Sequence, residues 1–103
     1  MNKPSTILLV KFKSSLTLEE VTEVVHRRIK EFRALKGLQQ KYYLQEPATR
    51  EYAGLYLWKS KADFDSYRDS ELRKTIASAY QTLGEPRIEV YSVFEVLREN
   101  EGI

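Results

Sequence analysis

The run Ile7-Leu8-Leu9-Val10-Lys11-Phe12 is apolar at positions of both parities, and it constrains the chain more than any other segment. Bounded by Pro4-Ser5 and Ser14-Ser15, it reads as a short strand with two faces to bury. Helices can cover one face of an antiparallel sheet built around such a strand. The other face then needs a partner or water.

The segments that follow supply one cover. Thr17, with Glu20 three residues on, forms a capping box, and Leu16 and Val21 stand at the positions of a hydrophobic staple. At about 100° per residue, Leu18, Val21, Val24, Val25, Ile29, Phe32 and Leu35 fall on one stripe. Gly37 supplies a stop, so the spacing predicts a helix over 18–36. Arg28 projects into the stripe, whereas His26 falls on the polar side. Leu38–Gln45 and Tyr52–Trp58, joined by the turn-forming Glu46-Pro47-Ala48-Thr49-Arg50, predict a hairpin. Gly54 within its second strand signals a bulge or the close approach of another backbone.

Ser60 with Asp63 opens a further helix. Phe64 and Tyr67 define one apolar direction, but Leu72, Ile76, Ala79, Tyr80 and Leu83 define another. A break at Asp69-Ser70, both good N-cap types, therefore predicts two helices, over 61–68 and 71–83. After Gly84-Glu85-Pro86, the alternating run from Arg87 to Leu97 predicts a long last strand. The element order is βαββαβ, an α+β arrangement of ferredoxin-like type: a four-stranded antiparallel sheet with its helices on one face. We expect one such domain over residues 1–103, a length suited to a single core. Its opposite sheet face, apolar in strands one, three and four, would exceed what a soluble monomer tolerates, so a homodimer packed sheet to sheet is expected.

Composition narrows the chemistry. With 42% apolar and 31% charged residues the chain is an ordinary globular one, and its net charge of +2 is spread among interleaved acids and bases. Without a basic face carrying aromatics, nucleic acid is not an expected partner. The absence of cysteine excludes disulfides, thiolate nucleophiles and Cys-ligated metals. No stretch has the length of a signal h-region or a membrane span, so the cytoplasm is the expected compartment and no membrane partner is expected. His26 reads as a solvated helix residue, and no carboxylate spacing resembles a metal-ligand set. Phosphate-cradling and nucleophile-elbow motifs are also missing, and no cofactor is expected.

The segment Tyr52-Ala53-Gly54-Leu55-Tyr56-Leu57-Trp58-Lys59-Ser60-Lys61-Ala62-Asp63-Phe64, then Tyr67, then Val90-Tyr91-Ser92-Val93-Phe94-Glu95-Val96, resembles the dimeric α/β-barrel superfamily of antibiotic-biosynthesis monooxygenases. The closer likeness is to its small YdhR-type mono-oxygenases, which share the Ala-Gly-x-Tyr-Leu-aromatic strand. The resemblance implies a dimeric α/β barrel and an oxygenase acting without cofactor on a small aromatic or polyketide-like compound. It does not extend to the superfamily's haem-degrading branch. There the catalytic tryptophan would fall on Tyr67 and the axial histidine on Ala77, which has no donor for iron.

Within that frame, Arg28, Tyr56 and Tyr67 are the candidate catalytic residues, and Tyr43, Trp58 and Tyr80 the candidate substrate-binding ones. A guanidinium on an apolar stripe must find a carboxylate, a ligand anion or a route to solvent. It could hold a phenolate or enolate, with tyrosine hydroxyls as hydrogen-bond partners and Trp58 as a stacking wall. A general base is missing from this set, because tyrosine titrates near 10. Two alternatives share the scaffold: a non-catalytic small-ligand-binding or stress-related module, and an isomerase or decarboxylase.

Overall fold

A computed structural model describes residues 3–98. The elements are β1 Thr6–Phe12, α1 Leu18–Arg33, β2 Leu38–Gln45, β3 Tyr52–Trp58, α2 Lys61–Arg68, α3 Glu71–Lys74, α4 Ile76–Ala79 and β4 Arg87–Ser92. The strands form one antiparallel sheet in the order β2-β3-β1-β4, the ferredoxin-like arrangement with β1 and β3 at its centre.

The caps act where the sequence places them. Thr17 N–H donates to Glu20 Oε1 at 2.9 Å and Glu20 N–H to Thr17 Oγ1 at 3.2 Å, completing the capping box of α1. Ser60 caps α2 by accepting from Asp63 N–H, and Ser70 caps α3 by accepting from Arg73 N–H. The break at Asp69-Ser70 thus lies where the two apolar directions of the sequence part.

Directly opposed residues of paired strands share a face. Leu8 stands between Tyr56 and Val90, and Val10 between Gly54 and Ile88, on the helix side. There Leu8, Val10, Tyr56 and Trp58 pack with Val21, Val24 and Phe32 of α1 and Phe64 and Tyr67 of α2 into one core. The far side carries Ile7, Leu9, Tyr42, Leu44, Leu55 and Leu57. Of these Leu57 is buried, and among the described residues no helix covers the rest.

Five expectations are corrected. Helix α1 ends at Arg33 rather than residue 36, because the chain must turn at Gly37 to enter β2. Gly37 has φ +80°, and a Cβ there would lie 2.1 Å from Asp63 Oδ2, so only glycine fits. The helix expected over 71–83 is two short ones. Leu72 O accepts from Thr75 Oγ1 at 2.8 Å and Arg28 Nη2 at 3.2 Å, where an unbroken helix would offer it to the next turn. The second of them closes on a Schellman motif, with Thr82 N–H to Ala77 O, Gln81 N–H to Ser78 O and Gln81 at φ 47°. Gln81 is therefore the stop, and Leu83, expected inside the helix, lies exposed beyond it.

The last strand stops at Ser92, five residues short of Leu97. Val93 N–H still reaches Ser5 O at 2.9 Å, but the next partner along β1 is Pro4, which has no N–H to continue the ladder. Gly54 makes no bulge; the register slips between Leu38 and Gln40 instead. The close approach at Gly54 is by side chains, since a Cβ would lie 3.0 Å from Tyr56 Cε1 and 3.2 Å from Lys41 Cε. Strand four contributes Arg87, Glu89 and Tyr91 to the far face and turns Ile88 and Val90 toward the helix side, so β2 rather than β4 completes the apolar far face.

Candidate functional site

Between α1 and the sheet lies a cavity of ≈ 280 Å³. Val21 and Val25 of α1 form one wall, Val10 and Phe12 of β1 the floor, and Tyr43, Tyr56 and Tyr80 bring aromatic surface from three elements. Its size lies just below the ~300–1,000 Å³ typical of ligand pockets. A second cavity of ≈ 330 Å³ lies between the later part of α1 and β2, bordered by Ile29, Phe32, Arg33 and Gln39. Lys41 and Tyr43 line both.

The six residues singled out from the sequence separate three ways, with Arg28 apart from the other five. Tyr43, Tyr56 and Tyr80 line the first cavity. Trp58 and Tyr67 lie behind it, fully packed. Trp58 stacks on Tyr56 at 6.4 Å between ring centroids and 4° between planes, and meets Tyr67 at 5.3 Å. Tyr67 Oη donates to Tyr56 Oη at 3.2 Å, a buried pair that orients the ring of Tyr56 from beneath. The indole Nε1 of Trp58 is buried with no partner among the described residues.

Arg28 meets no carboxylate among the described residues and is only half-buried, its contacts to Thr75 lying at the surface. Its guanidinium donates to Leu72 O, Thr75 O and Thr75 Oγ1, the last at 2.8 Å, and lies over the rings of Phe32 and Tyr80 at 5.5 and 5.9 Å. It ties α1 to the α3–α4 turn and borders neither cavity. His26 is exposed, as its wheel position indicates, and no group of three or more metal-ligating side chains converges among the described residues.

The group that sequence reasoning missed is Lys41. Its Nζ lies 3.6 Å from the ring centroid of Phe32, 4.3 Å from that of Tyr56 and 4.5 Å from that of Tyr43. Among the described residues it has no ion pair, unlike Lys11, which pairs with Glu46 at 3.0 Å on the far face. Burial, and secondarily the like charge of Arg28, bring its pKa down to about 7. The ring faces replace part of the lost hydration of the cation. The tyrosines move the other way: burial pushes Tyr80 up to about 12, raises Tyr43 and Tyr67, and puts Tyr56 well above the ordinary value. At neutral pH they can donate or accept hydrogen bonds but do not ionise; Lys41 is the lining group whose proton is exchangeable there.

A signal for Lys41 exists in the hairpin. Once Tyr52, Tyr56 and Trp58 are turned toward the helices, pairing Gln45 with Tyr52 sets Lys41 opposite Tyr56 on the same face. Gly54, opposite Tyr43, leaves the room that the lysine stem occupies.

The family model described as "Putative mono-oxygenase ydhR" matches residues 7–101. Among solved structures the chain is similar to SnoaB, a cofactor-independent oxygenase from Streptomyces nogalater, with 15% identity, a TM-score of 0.72 and coverage of 94% of this chain and 100% of that one. It is similar to a monooxygenase from the gene ActVA-Orf6 of Streptomyces coelicolor in complex with nanaomycin D, with 15% identity, a TM-score of 0.67 and coverage of 94% of each chain. An antibiotic biosynthesis monooxygenase-type protein from Caulobacter crescentus gives 16% identity and a TM-score of 0.71 over 89% of this chain and 92% of that one. At these identities the likeness establishes the fold. No curated protein matches the chain.

Proposed function

Because the chain belongs to the YdhR mono-oxygenase family, we propose that it is a cofactor-independent oxygenase acting on a small aromatic substrate held in the cavity under α1. The observation that carries the reading is that cavity itself, with tyrosines from two strands and the end of α4 around an apolar interior. The fold is shared with SnoaB, a cofactor-independent oxygenase, and with the Streptomyces coelicolor monooxygenase that binds nanaomycin D.

In such a reaction the ionised substrate reduces dioxygen. A ring CH₂ activated by a neighbouring phenol becomes C=O, one oxygen atom entering the product and the other leaving as water with the two hydrogens. The protein's part is to favour the anion and keep it dry, for which Tyr43, Tyr56 and Tyr80 offer hydroxyls at the cavity wall. Arg28 then acts as a positioning residue that fixes the turn before Tyr80, and Tyr67 and Trp58 as the packed support of Tyr56.

The reading includes a homodimer closed through the far face. Its support is the row Ile7, Leu9, Tyr42, Leu44 and Leu55, which no helix among the described residues covers, together with Phe94 and Leu97, 98% and 89% exposed just beyond β4. Sedimentation should give roughly twice the 12.1 kDa of the chain at micromolar concentration, and a monomer overturns that assignment. No helix among the described residues is long and apolar enough to cross a membrane.

Oxygen uptake with a panel of hydroxyanthrones and hydroquinones tests the chemistry. We expect uptake above the uncatalysed rate that is lost in Val25→Trp, which fills the cavity from α1. Binding without uptake across the panel would replace the oxygenase by the ligand-binding module.

A further inference from the structure

Among the described residues the cavity wall holds one cation, Lys41, and no counter-ion, and this defines what it takes. We infer that Lys41 receives the acidic hydroxyl of the ligand, so that the site selects phenols and enols and holds them ionised against the lysine ammonium. The inference rests on the reading of this cavity as the substrate site and adds its substrate class and its base.

The geometry leaves the amine little else to do. Nζ sits among the faces of Phe32, Tyr43 and Tyr56, and its stem fits over Gly54, where any Cβ would come within 3.2 Å of Cε. The titratable and charged groups around it are Arg28 and Arg33 from α1, Tyr43 on β2, Tyr56 on β3, Tyr67 behind it on α2, and Tyr80 after α4. None of these is a carboxylate, and Lys41 forms no ion pair among the described residues. A buried ammonium without an anion is costly. An entering phenol removes that cost: its O–H bond breaks, an N–H bond forms at Nζ, and phenolate and ammonium remain as a pair with no electron transferred. An amine that is partly neutral at pH 7 accepts such a proton readily, whereas the guanidinium of Arg28 cannot.

The same location explains why the two cavities matter together. Lys41 and Tyr43 line both, so a ligand oxygen meeting the amine in the first leaves its ring against Tyr56 and Val25. A neutral aromatic of equal shape gains the apolar contacts but not the ion pair.

The test uses 4-nitrophenol, whose ionised form alone has a strong visible band, with the full-length protein. At a pH below the probe's own midpoint, saturable binding should bring up the phenolate band. Lys41→Met should keep the far-ultraviolet circular dichroism of the parent, lose the band, and bind the probe about ten- to hundredfold more weakly, the worth of a charge-assisted hydrogen bond. Nitrobenzene, with no hydroxyl, should bind both proteins alike. A phenolate band of equal size in Lys41→Met, capture of the probe in its neutral form, or no saturable binding overturns the inference. If Lys41→Met does not fold, Lys41→Gln is read in its place. Failure of the oxygenase reading is separate: a phenolate band in the parent protein without oxygen uptake on any substrate of the panel removes the oxygenase and leaves the Lys41 assignment standing.

Discussion

Strand β3 shows the helices four residues, Tyr52, Gly54, Tyr56 and Trp58, and the two ends of that row behave differently. At the Trp58 end every ring has neighbours: Tyr56, Phe64 and Tyr67 surround the indole, and Phe32 closes over Tyr56 and Tyr67 at 6.2 Å each. At the Gly54 end a side chain is missing, and a cavity lies there with a lysine amine at its edge. One glycine thus separates a region that stabilises from a region free to bind. Preorganised sites commonly rest on such a packed support, here the Tyr67–Tyr56 hydroxyl pair and the stacked Trp58.

The contrast can be broken from either end. Trp58→Ala removes the centre of the packed cluster and should lower stability by about 3–5 kcal/mol, read from urea unfolding. A loss below about 1 kcal/mol would mean that the packed end is not the stabilising one. Lys41 gives the next effect. Below about pH 7 the folded and unfolded chains both carry its proton and the penalty of a buried ammonium is fully present; above ~10.4 neither carries it. In between, the unfolded chain holds more proton, so stability rises with pH. Allowing for partial exposure of the amine, the gain should be about 2 kcal/mol from about pH 6.5 to 9.5, and Lys41→Met should abolish it.

Arg28→Ala frees three acceptors at the α3–α4 turn and should cost about 1–2 kcal/mol, and its loss of like charge should raise the Lys41 titration midpoint. An equal effect of Arg28→Lys and Arg28→Ala on stability would show that the forked hydrogen bonds are not what holds the turn. Smallest is Val25→Ala at the open end. Because a cavity already lies beside it, the expected loss is about 1 kcal/mol or less by thermal unfolding, well under that of Trp58→Ala.

Much of the fold was legible because local signals agreed with tertiary ones. The capping box at Thr17-Glu20, the hairpin strands Leu38–Gln45 and Tyr52–Trp58, and the break at Asp69-Ser70 all stand where the pattern puts them. Errors arose where a distant partner decided an ending. Pro4 cuts short the ladder available to β4, and Arg28, more than forty residues away, takes the carbonyl of Leu72 in the α3–α4 turn. Gln81 in the left-handed region is held by Ser15 N–H on its carbonyl, a contact no local propensity signals. Around the cavity, the tyrosines Tyr43, Tyr56 and Tyr80 stand out by aromatic content, but a lysine in a polar-looking strand reads as solvent-facing until the hairpin register is fixed. Arg28 drew attention as the unusual cation on an apolar stripe, while the amine aimed at the cavity stood on the strand opposite.

Lys41, without an ion pair among the described residues, is an amine poised near neutrality at the open end of the sheet. Carbon-13 NMR of the lysine Cε resonances, with Lys41 assigned by its absence in Lys41→Met, measures this directly. We expect one lysine with a midpoint at about 7, displaced upward when 4-nitrophenol is bound. A Lys41 midpoint in the ordinary range near 10.4, unmoved by the phenol, contradicts it.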